Sequence, residues 1–516
     1  MTRDNNNGND TSSGDDEKRR IASTQPSPED LQEPLSEPTG AIRSGSLAGK
    51  TMWAAIWFLA IPILIQQILI AFVGLADKIF AGALPEEIVL PAMDAIGIGS
   101  YIGWFIAIAV SGVGIGGQAL IARAMGGGLV ADGHKVLGQS ITLAFFWGCV
   151  VGAGLWFFAA PLGELCQLSA EAKIYLVQYI QILAIGMPAC SVMTTGSMAL
   201  HGSGDTLRPA VVTVFVNIVN VICSWSLSGA DVRLGESTIA NPFTWDMHVV
   251  GIAIGTSIAY LVGGVLIVVV LVRGVKDLRL HLRDLLPDFS LFMRIAKIGI
   301  PNFFEGLSMW VANLFVLQFI GQIAANMAIE LDADEPVVQG LQGAHVIAVQ
   351  WEAFSFLPGF AIGIAAGTLA GQYLGAGNEK QARKAIVACM FLAILFMGSL
   401  GLGMVFGGHT LTSIISNEPL HLNIVPKLLV VAGIMQVAFA VMMVIRQSLK
   451  GVGDTFWTFL ITSISSWGVR LPAAWFLGVY LELGLLGIWY AICGEMLVRA
   501  VLFFLRFRYG NWAKQI

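Results

Sequence analysis

His201-Gly202-Ser203-Gly204-Asp205-Thr206 returns as Lys450-Gly451-Val452-Gly453-Asp454-Thr455, 249 residues further along the chain. The same spacing holds at a second place, where Ala124-Met125-Gly126-Gly127-Gly128 is echoed by Tyr373-Leu374-Gly375-Ala376-Gly377. Two matches at one offset mark a tandem duplication, and both lie between long apolar segments. Each half is therefore expected to carry the same set of membrane helices, as in many secondary transporters.

Composition agrees. Hydrophobic residues make up 56% of the chain and charged residues 12%, about half the charged share of a soluble domain. A net charge of −5 leaves no basic footprint for nucleic acid. The six cysteines show no CxxC spacing and read as small buried hydrophobes. Residues 1–50 differ in kind: Asn, Ser, Asp, Glu and Pro dominate, Pro26, Pro28, Pro34 and Pro38 break any helix, and the segment reads as a disordered tail. It has no features of a secretory signal.

Apolar runs long enough to cross roughly 30 Å of hydrocarbon fall near 53–83, 94–121, 138–160, 174–200, 207–228 and 248–272, and again near 295–321, 343–371, 383–407, 422–449, 455–479 and 484–507. The expected fold is an all-α membrane protein of twelve transmembrane helices in two six-helix lobes, 51–272 and 295–508, followed by a short tail, 509–516. Same-sense repeats of six helices are related by a pseudo-twofold axis along the membrane normal. One set of loops holds Arg123, Lys135, Arg208, Lys380, Arg383, Lys384, Arg446, Lys450 and the basic stretch from Arg273 to Lys297. The other holds only Lys78, Lys173, Arg233 and Lys427. The positive-inside rule then places both termini in the cytoplasm of a multi-pass protein of the cell (inner) membrane. The linker 273–294 reads as an amphipathic helix on the inner surface.

Several familiar chemistries are excluded. Gly112-x-Gly114-x-x-Gly117 matches a dinucleotide fingerprint but sits inside an apolar helix with no preceding strand. There is no GxxxxGK[ST] loop, HExxH or GxSxG, and the seven histidines are scattered. An integral-membrane enzyme is thus a distant alternative, and no cofactor is expected.

Ile61-Pro62 through Gly74-Leu75-Ala76-Asp77-Lys78-Ile79-Phe80-Ala81-Gly82, with Ile298-Gly299-Ile300-Pro301, Gly343-Ala344-His345, Leu369-Ala370-Gly371-Gln372-Tyr373-Leu374-Gly375-Ala376-Gly377-Asn378 and the two GDT turns, resembles the multidrug and toxic compound extrusion (MATE) family over residues 51–508. The resemblance implies two lobes around a V-shaped central cavity. It also implies export of amphipathic or cationic organic compounds in exchange for protons or sodium, by a protein expected to be a monomer among membrane lipid. Relatives in the same superfamily move lipid-linked saccharides, so a flippase is the rival transporter. That rival calls for a more cationic cavity to hold pyrophosphate.

Ionisable groups in the spans are the first candidates for function, because each needs a partner, water or a proton. The acids are Asp77, Glu305, Glu352 and Glu495, joined by Arg470 and Arg499. The resemblance places a first-lobe cation site at Asp77, with Asn220 and Thr256 in its network. Asn217 is a polar neighbour, Ser224 stands where some members carry a second Asp, and Ser197 stands where an Asn is often found. One carboxylate supplies a hard cation poorly, which favours protons, with transient sodium near Asp77 as the alternative. Desolvation disfavours an ionised carboxyl and suits an acid in such a place to proton exchange. The plainer reading of Asp77 is an interfacial acid neutralised by Lys78. For Asn217, Asn220, Ser224, Thr256 and Ser197 it is interhelical hydrogen bonding.

In the second lobe, Glu305 lies four residues after Pro301, as Gln66 does after Pro62. Family members often carry their helix 7 Glu later, near Met309. Glu352 could face the cavity or pair with Arg470, whereas Glu495 and Arg499, one turn apart, form a structural pair. Trp310, Trp351, Phe354, Phe356, Met309, Met442 and Met443 either line a drug pocket or face lipid and neighbouring helices.

Overall fold

The computed structural model describes residues 40–165, 168–234, 237–243, 245–330 and 340–514. The unit Ala41–Ile516 holds every helix named below. The first half comprises α1 (Met52–Gly82), α2 (Glu86–Gly127), α3 (Val130–Leu165), α4 (Ala170–Ser203), α5 (Leu207–Ser228) and α6 (His248–Arg273). The second comprises α7 (Phe289–Glu330), α8 (Leu341–Gly375), α9 (Glu379–Ile415), α10 (Pro419–Gly451), α11 (455–480) and α12 (Gly484–Tyr509). Eleven of these are long and apolar enough to cross a membrane. The remaining one, α11, alternates α-helix (Thr455–Ser465, Leu471–Ala474) with wider π-helix (Ser466–Arg470, Trp475–Tyr480). Between α5 and α6, β1 (Val232–Leu234) and β2 (Ser237–Ile239) pair antiparallel, with Arg233 opposite Thr238.

Apolar side chains make the helices; polar caps and glycine turns end them. The Thr51 hydroxyl accepts from Ala54 N at 3.4 Å, and Ser169 accepts from Ala172 N at 3.2 Å. Prolines inside the spans, such as Pro62 and Pro301, are tolerated because neighbouring helices satisfy the freed backbone. The two repeated turns stop α4 and α10 in the same way. Gly204 at φ +87° and Gly453 at φ +83° take the left-handed conformation that closes a helix C-terminus. Asp205 N then donates to Leu200 O at 2.9 Å, and Asp454 N to Leu449 O at 2.8 Å. The following threonines hang the next helix on its neighbour, Thr206 on Phe58 O at 3.1 Å and Thr455 on Ile298 O at 2.7 Å.

The duplication is visible as duplicated contacts. Gly126 lies against the backbone of Gln372 and Gly375 against that of Arg123, a reciprocal pair because 126 and 375, and 123 and 372, are repeat partners. Here α2 and α8 cross backbone on backbone. On one flank α2 also meets α7, where Gly112 and Gly299 lie against each other, and that seam runs as far as Phe105 and Trp310, with ring centroids 5.8 Å apart. On the other flank, Ile56, Leu59 and Ile63 of α1 join the core of the second half. Further from the glycine turns the halves part. Phe80, Ala81, Leu84 and Ala92 belong to a core built from α1–α6, whereas Ala312, Ile320, Leu341 and Ala344 belong to the second half's own. Two pseudo-twofold-related lobes thus close at the glycine-turn end around a central cavity.

Two boundaries differ from the sequence reading. Residues 1–39 lie outside the described residues, but the tail does not run to residue 50. Residues 41–50 form a strap across the closed end. Ser44 Oγ donates to Met125 O at 2.6 Å, Gly45 N to Asp277 Oδ2 at 2.8 Å and Ser46 N to Ser203 O at 3.2 Å, while Leu47 is buried in the second half's core. The linker is not a helix either. It turns at Gly274, forms a bridge between Val275 and Leu278, makes one 3-10 turn at Leu282–Leu285 and enters α7 at Phe289. Pro287, which lacks an N–H and biases Leu286 away from helix, interrupts the stretch.

A valine at Gly375 has nowhere to go. We expect Gly375→Val and its repeat partner Gly126→Val to lower the thermal unfolding temperature of the detergent-solubilised protein, each by overpacking worth about 1–3 kcal/mol or more. Gly403→Val, where an added Cβ meets nothing within 4 Å, should leave it unchanged.

Candidate functional site

Four helices of the first half converge on one carboxyl group. Asp77 lies five positions before the last residue of α1 and is buried, 4% exposed. The Tyr179 hydroxyl of α4 donates to its Oδ2 at 2.9 Å. Thr256 Oγ1 of α6 stands 3.2 Å from Oδ1 and 3.3 Å from Oδ2, and also 3.2 Å from Ile252 O. Asn220 Nδ2 of α5 donates to Thr256 Oγ1 at 2.9 Å and reaches Ser224 Oγ at 3.5 Å. Asn220 Oδ1 is buried with no hydrogen-bond partner. Lys78 is exposed and no ion pair joins it to Asp77 among the described residues, so Asp77 is a sequestered acid and not an interfacial one.

Thr256 thus lies at Asp77, with Asn220 and then Ser224 behind it, but two of the candidate residues lie elsewhere. Asn217 spends its amide on Thr213 O at 2.9 Å, within α5. Ser197 is buried on α4 eighteen residues beyond Tyr179, roughly 27 Å along a helix. Tyr179 itself escaped the sequence reading. Its signal was one of two tyrosines, with Tyr175, in a largely apolar helix, which composition alone does not separate from a core tyrosine.

The second half is built differently. Glu305 of α7 is fully buried and ion-paired to Arg446 Nε, with Lys450 Nζ at 3.0 Å. Thr458 and Thr462 of α11 donate to it at 3.0 and 3.2 Å. Lys450 also donates to Asn302 Oδ1 at 2.7 Å. In the sequence Arg446 and Lys450 count as loop charges; in the fold they lie on α10 and serve a buried acid. The repeat counterpart is uncharged: His201 Nε2 and Gln66 Oε1 lie 3.0 Å apart, where the second half has Lys450 and Glu305.

Glu495 and Arg499 pair within α12, Arg499 Nε donating to Oε1 at 2.7 Å. Arg470 completes a triad, with Nη2 2.8 Å from Glu495 Oε2 and Nη1 3.1 Å from Asn313 Oδ1. Arg470 is thus taken by Glu495, and Glu352 has no ion pair among the described residues. Of the aromatic and sulfur candidates, Met442 and Met443 are core residues, and the Trp351 indole donates to Leu411 O at 3.1 Å. The described residues hold no cluster of three or more His, Cys, Asp or Glu suited to a metal.

Glu305→Gln leaves Arg446 and Lys450, 13% and 8% exposed, without a counter-charge in a largely buried site. Removing one partner of a buried pair costs about 3–5 kcal/mol, and thermal unfolding in detergent should show it. Asp77→Asn breaks no ion pair and should shift the transition far less; equal losses would contradict the contrast between the two sites.

The family model MatE matches residues 62–226 and 311–476, one stretch in each half. A probable multidrug resistance protein, NorM, from Thermotoga maritima is 28% identical over 463 residues, covering 89% of this chain and 92% of that protein. The multidrug resistance protein PmpM of Pseudomonas aeruginosa is 24% identical, with 82% and 83% covered. Among solved structures, a MOP superfamily transporter from Pyrococcus furiosus superposes with a TM-score of 0.78 at 19% identity, over 89% of this chain and 96% of that one. The Vibrio cholerae MATE transporter VcmN in its bent form gives 0.77 at 17%, over 89% and 97%. These structures share the fold.

Proposed function

This chain belongs to the MatE family, as a multidrug efflux transporter and not an enzyme, and on that premise we propose that it exports small organic, mainly cationic or amphipathic compounds by proton-coupled antiport at Asp77. Lobes that close at one end suit alternating access, in which the same lobes rock to close the other. The loop charges favour cytoplasmic termini in the cell membrane. A potential of 100 mV offers about 2.3 kcal/mol per charge, roughly 50-fold accumulation for one net charge per cycle. That is enough for efflux without nucleotide hydrolysis.

One observation carries the proton reading: the hydrogen bonds around Asp77 balance in both protonation states. With the carboxylate ionised, Tyr179 and Thr256 both donate to it. With the carboxyl protonated, its O–H donates to Thr256 Oγ1, which also accepts from Asn220, and the Thr256 proton turns to Ile252 O, already 3.2 Å away. A hydroxyl has one proton and two lone pairs, so every partner is used once. The buried carboxyl can take or release a proton with only a hydroxyl rotation in its shell.

A second reading rests on Asn220 Oδ1, the buried acceptor without a partner. With Asp77 and Thr256 it could supply oxygens to a transient sodium ion, although hard cations favour more ligands than these.

Proteoliposomes with an imposed pH gradient or sodium gradient separate the two. We expect the pH gradient alone to drive uptake of a cationic dye and Asp77→Asn to abolish it, whereas Asn217→Ala, outside the network, transports normally. Uptake driven by sodium alone would reverse the choice of ion, and normal transport by Asp77→Asn would remove the site.

A further inference from the structure

The two ion-paired triads of the second half meet at a sulfur atom. Lys450–Glu305–Arg446 and Arg470–Glu495–Arg499 each hold two cations on one carboxylate, so each carries net charge +1. Between them stands Met309: Arg446 Nη2 lies 3.7 Å from its Sδ and Arg499 Nη1 lies 3.9 Å from it. A thioether is a weak acceptor, and here it is the shared partner of two guanidinium groups. Planar guanidinium forks suit a carboxylate far better. Glu352 lies within electrostatic reach of Arg470 but forms no ion pair, and among the described residues Arg446 and Arg499 pair with no carboxylate besides Glu305 and Glu495.

The junction is also reachable. Met309 is half-buried and the Arg446 side chain keeps 13% of its surface, whereas Arg499 and Glu495 form the buried floor. Methionine has an unbranched, adaptable side chain, so Sδ can swing aside without disturbing either triad. The Gln66–His201 contact of the first half has no such surplus of charge.

We propose that the Arg446–Met309–Arg499 junction is an anion-receiving subsite, which takes the carboxylate of a transported amphiphile between the two guanidinium groups as the Met309 thioether turns away. The proposal rests on the export reading and extends it by assigning to the second half the groups that receive the negative charge of a transported amphiphile.

The test uses a matched pair, a zwitterionic amphiphilic dye with one carboxylate and its methyl ester, titrated onto the full-length protein in nanodiscs. Native protein is expected to bind the acid about tenfold or more tightly than the ester, the scale of a hydrogen bond to a charged group. Arg446→Gln should erase that preference while sparing ester affinity. Should Arg446→Gln fold poorly, Met309→Glu serves instead: it fills the junction with a built-in carboxylate, keeps the fold and should likewise remove the preference. Equal native affinity for acid and ester, or a loss common to both in these variants, would overturn the subsite. Chloride that displaces the acid completely at millimolar concentration would identify an inorganic anion as the occupant and overturn the substrate assignment. Failure of proteoliposomes to transport either dye, with the binding preference intact, would instead count against the export reading.

Discussion

Backbone contact between α2 and α8 is the constraint on which the molecule depends. At Gly126 and Gly375 two helices cross with no side chain between them, and small residues are what allow such approach in a membrane. The crossing lies on the pseudo-twofold axis, because each glycine meets the repeat partner of the other's contact. It brings the two glycine turns together, seats the strap of residues 41–50 across them and forces the helices to splay in the opposite direction. The cavity is a consequence of that pinch, and both polar sites sit inside the splayed lobes.

On this common scaffold the two lobes have taken opposite electrostatic solutions. The first surrounds one acid with neutral donors from three other helices and no cation. The second buries two acids beneath four cations. Cations beside a buried carboxylate hold it ionised, and taking the charge from one partner exposes the other to a dry interior. Neutral hydroxyls impose no such penalty and can reorient. On the proposed proton coupling, the half that exchanges the proton is the one with fewer charges, and the half rich in charge is suited to recognising charge on something else.

Much of the fold was legible because the duplication and apolar length are strong, redundant signals. The expected span 207–228 coincides with α5, and twelve helical segments appear in the expected order. What failed did so for local reasons. Helices α2 and α7 run well beyond the hydrocarbon-length windows of the sequence, since polar ends do not register in an apolar count. For the same reason Arg446 and Lys450 read as loop residues. The linker has basic and apolar residues at helical intervals, but Pro287 and Gly274 overrule periodicity. At the site, the acid was conspicuous because acids are rare in membranes, whereas Tyr179 was not, since a buried tyrosine is ordinary. Ser197 was drawn in by likeness to other chains, and the distance along α4 separates it.

The π-helical stretch in α11 is a device for alignment. Along an ordinary α-helix, residues four apart drift by roughly 40° per step, so a row of them spirals off the face on which it began. Thr458, Thr462, Ser466 and Arg470 form such a row, yet their side chains contact Glu305, Glu305 again, Arg499 and Glu495 in turn. The widened turn at Ser466–Arg470 rotates less per residue and unwinds the accumulated drift. A single strip of polar groups thereby faces inward for the whole climb, and the helix keeps its oily back to the lipid.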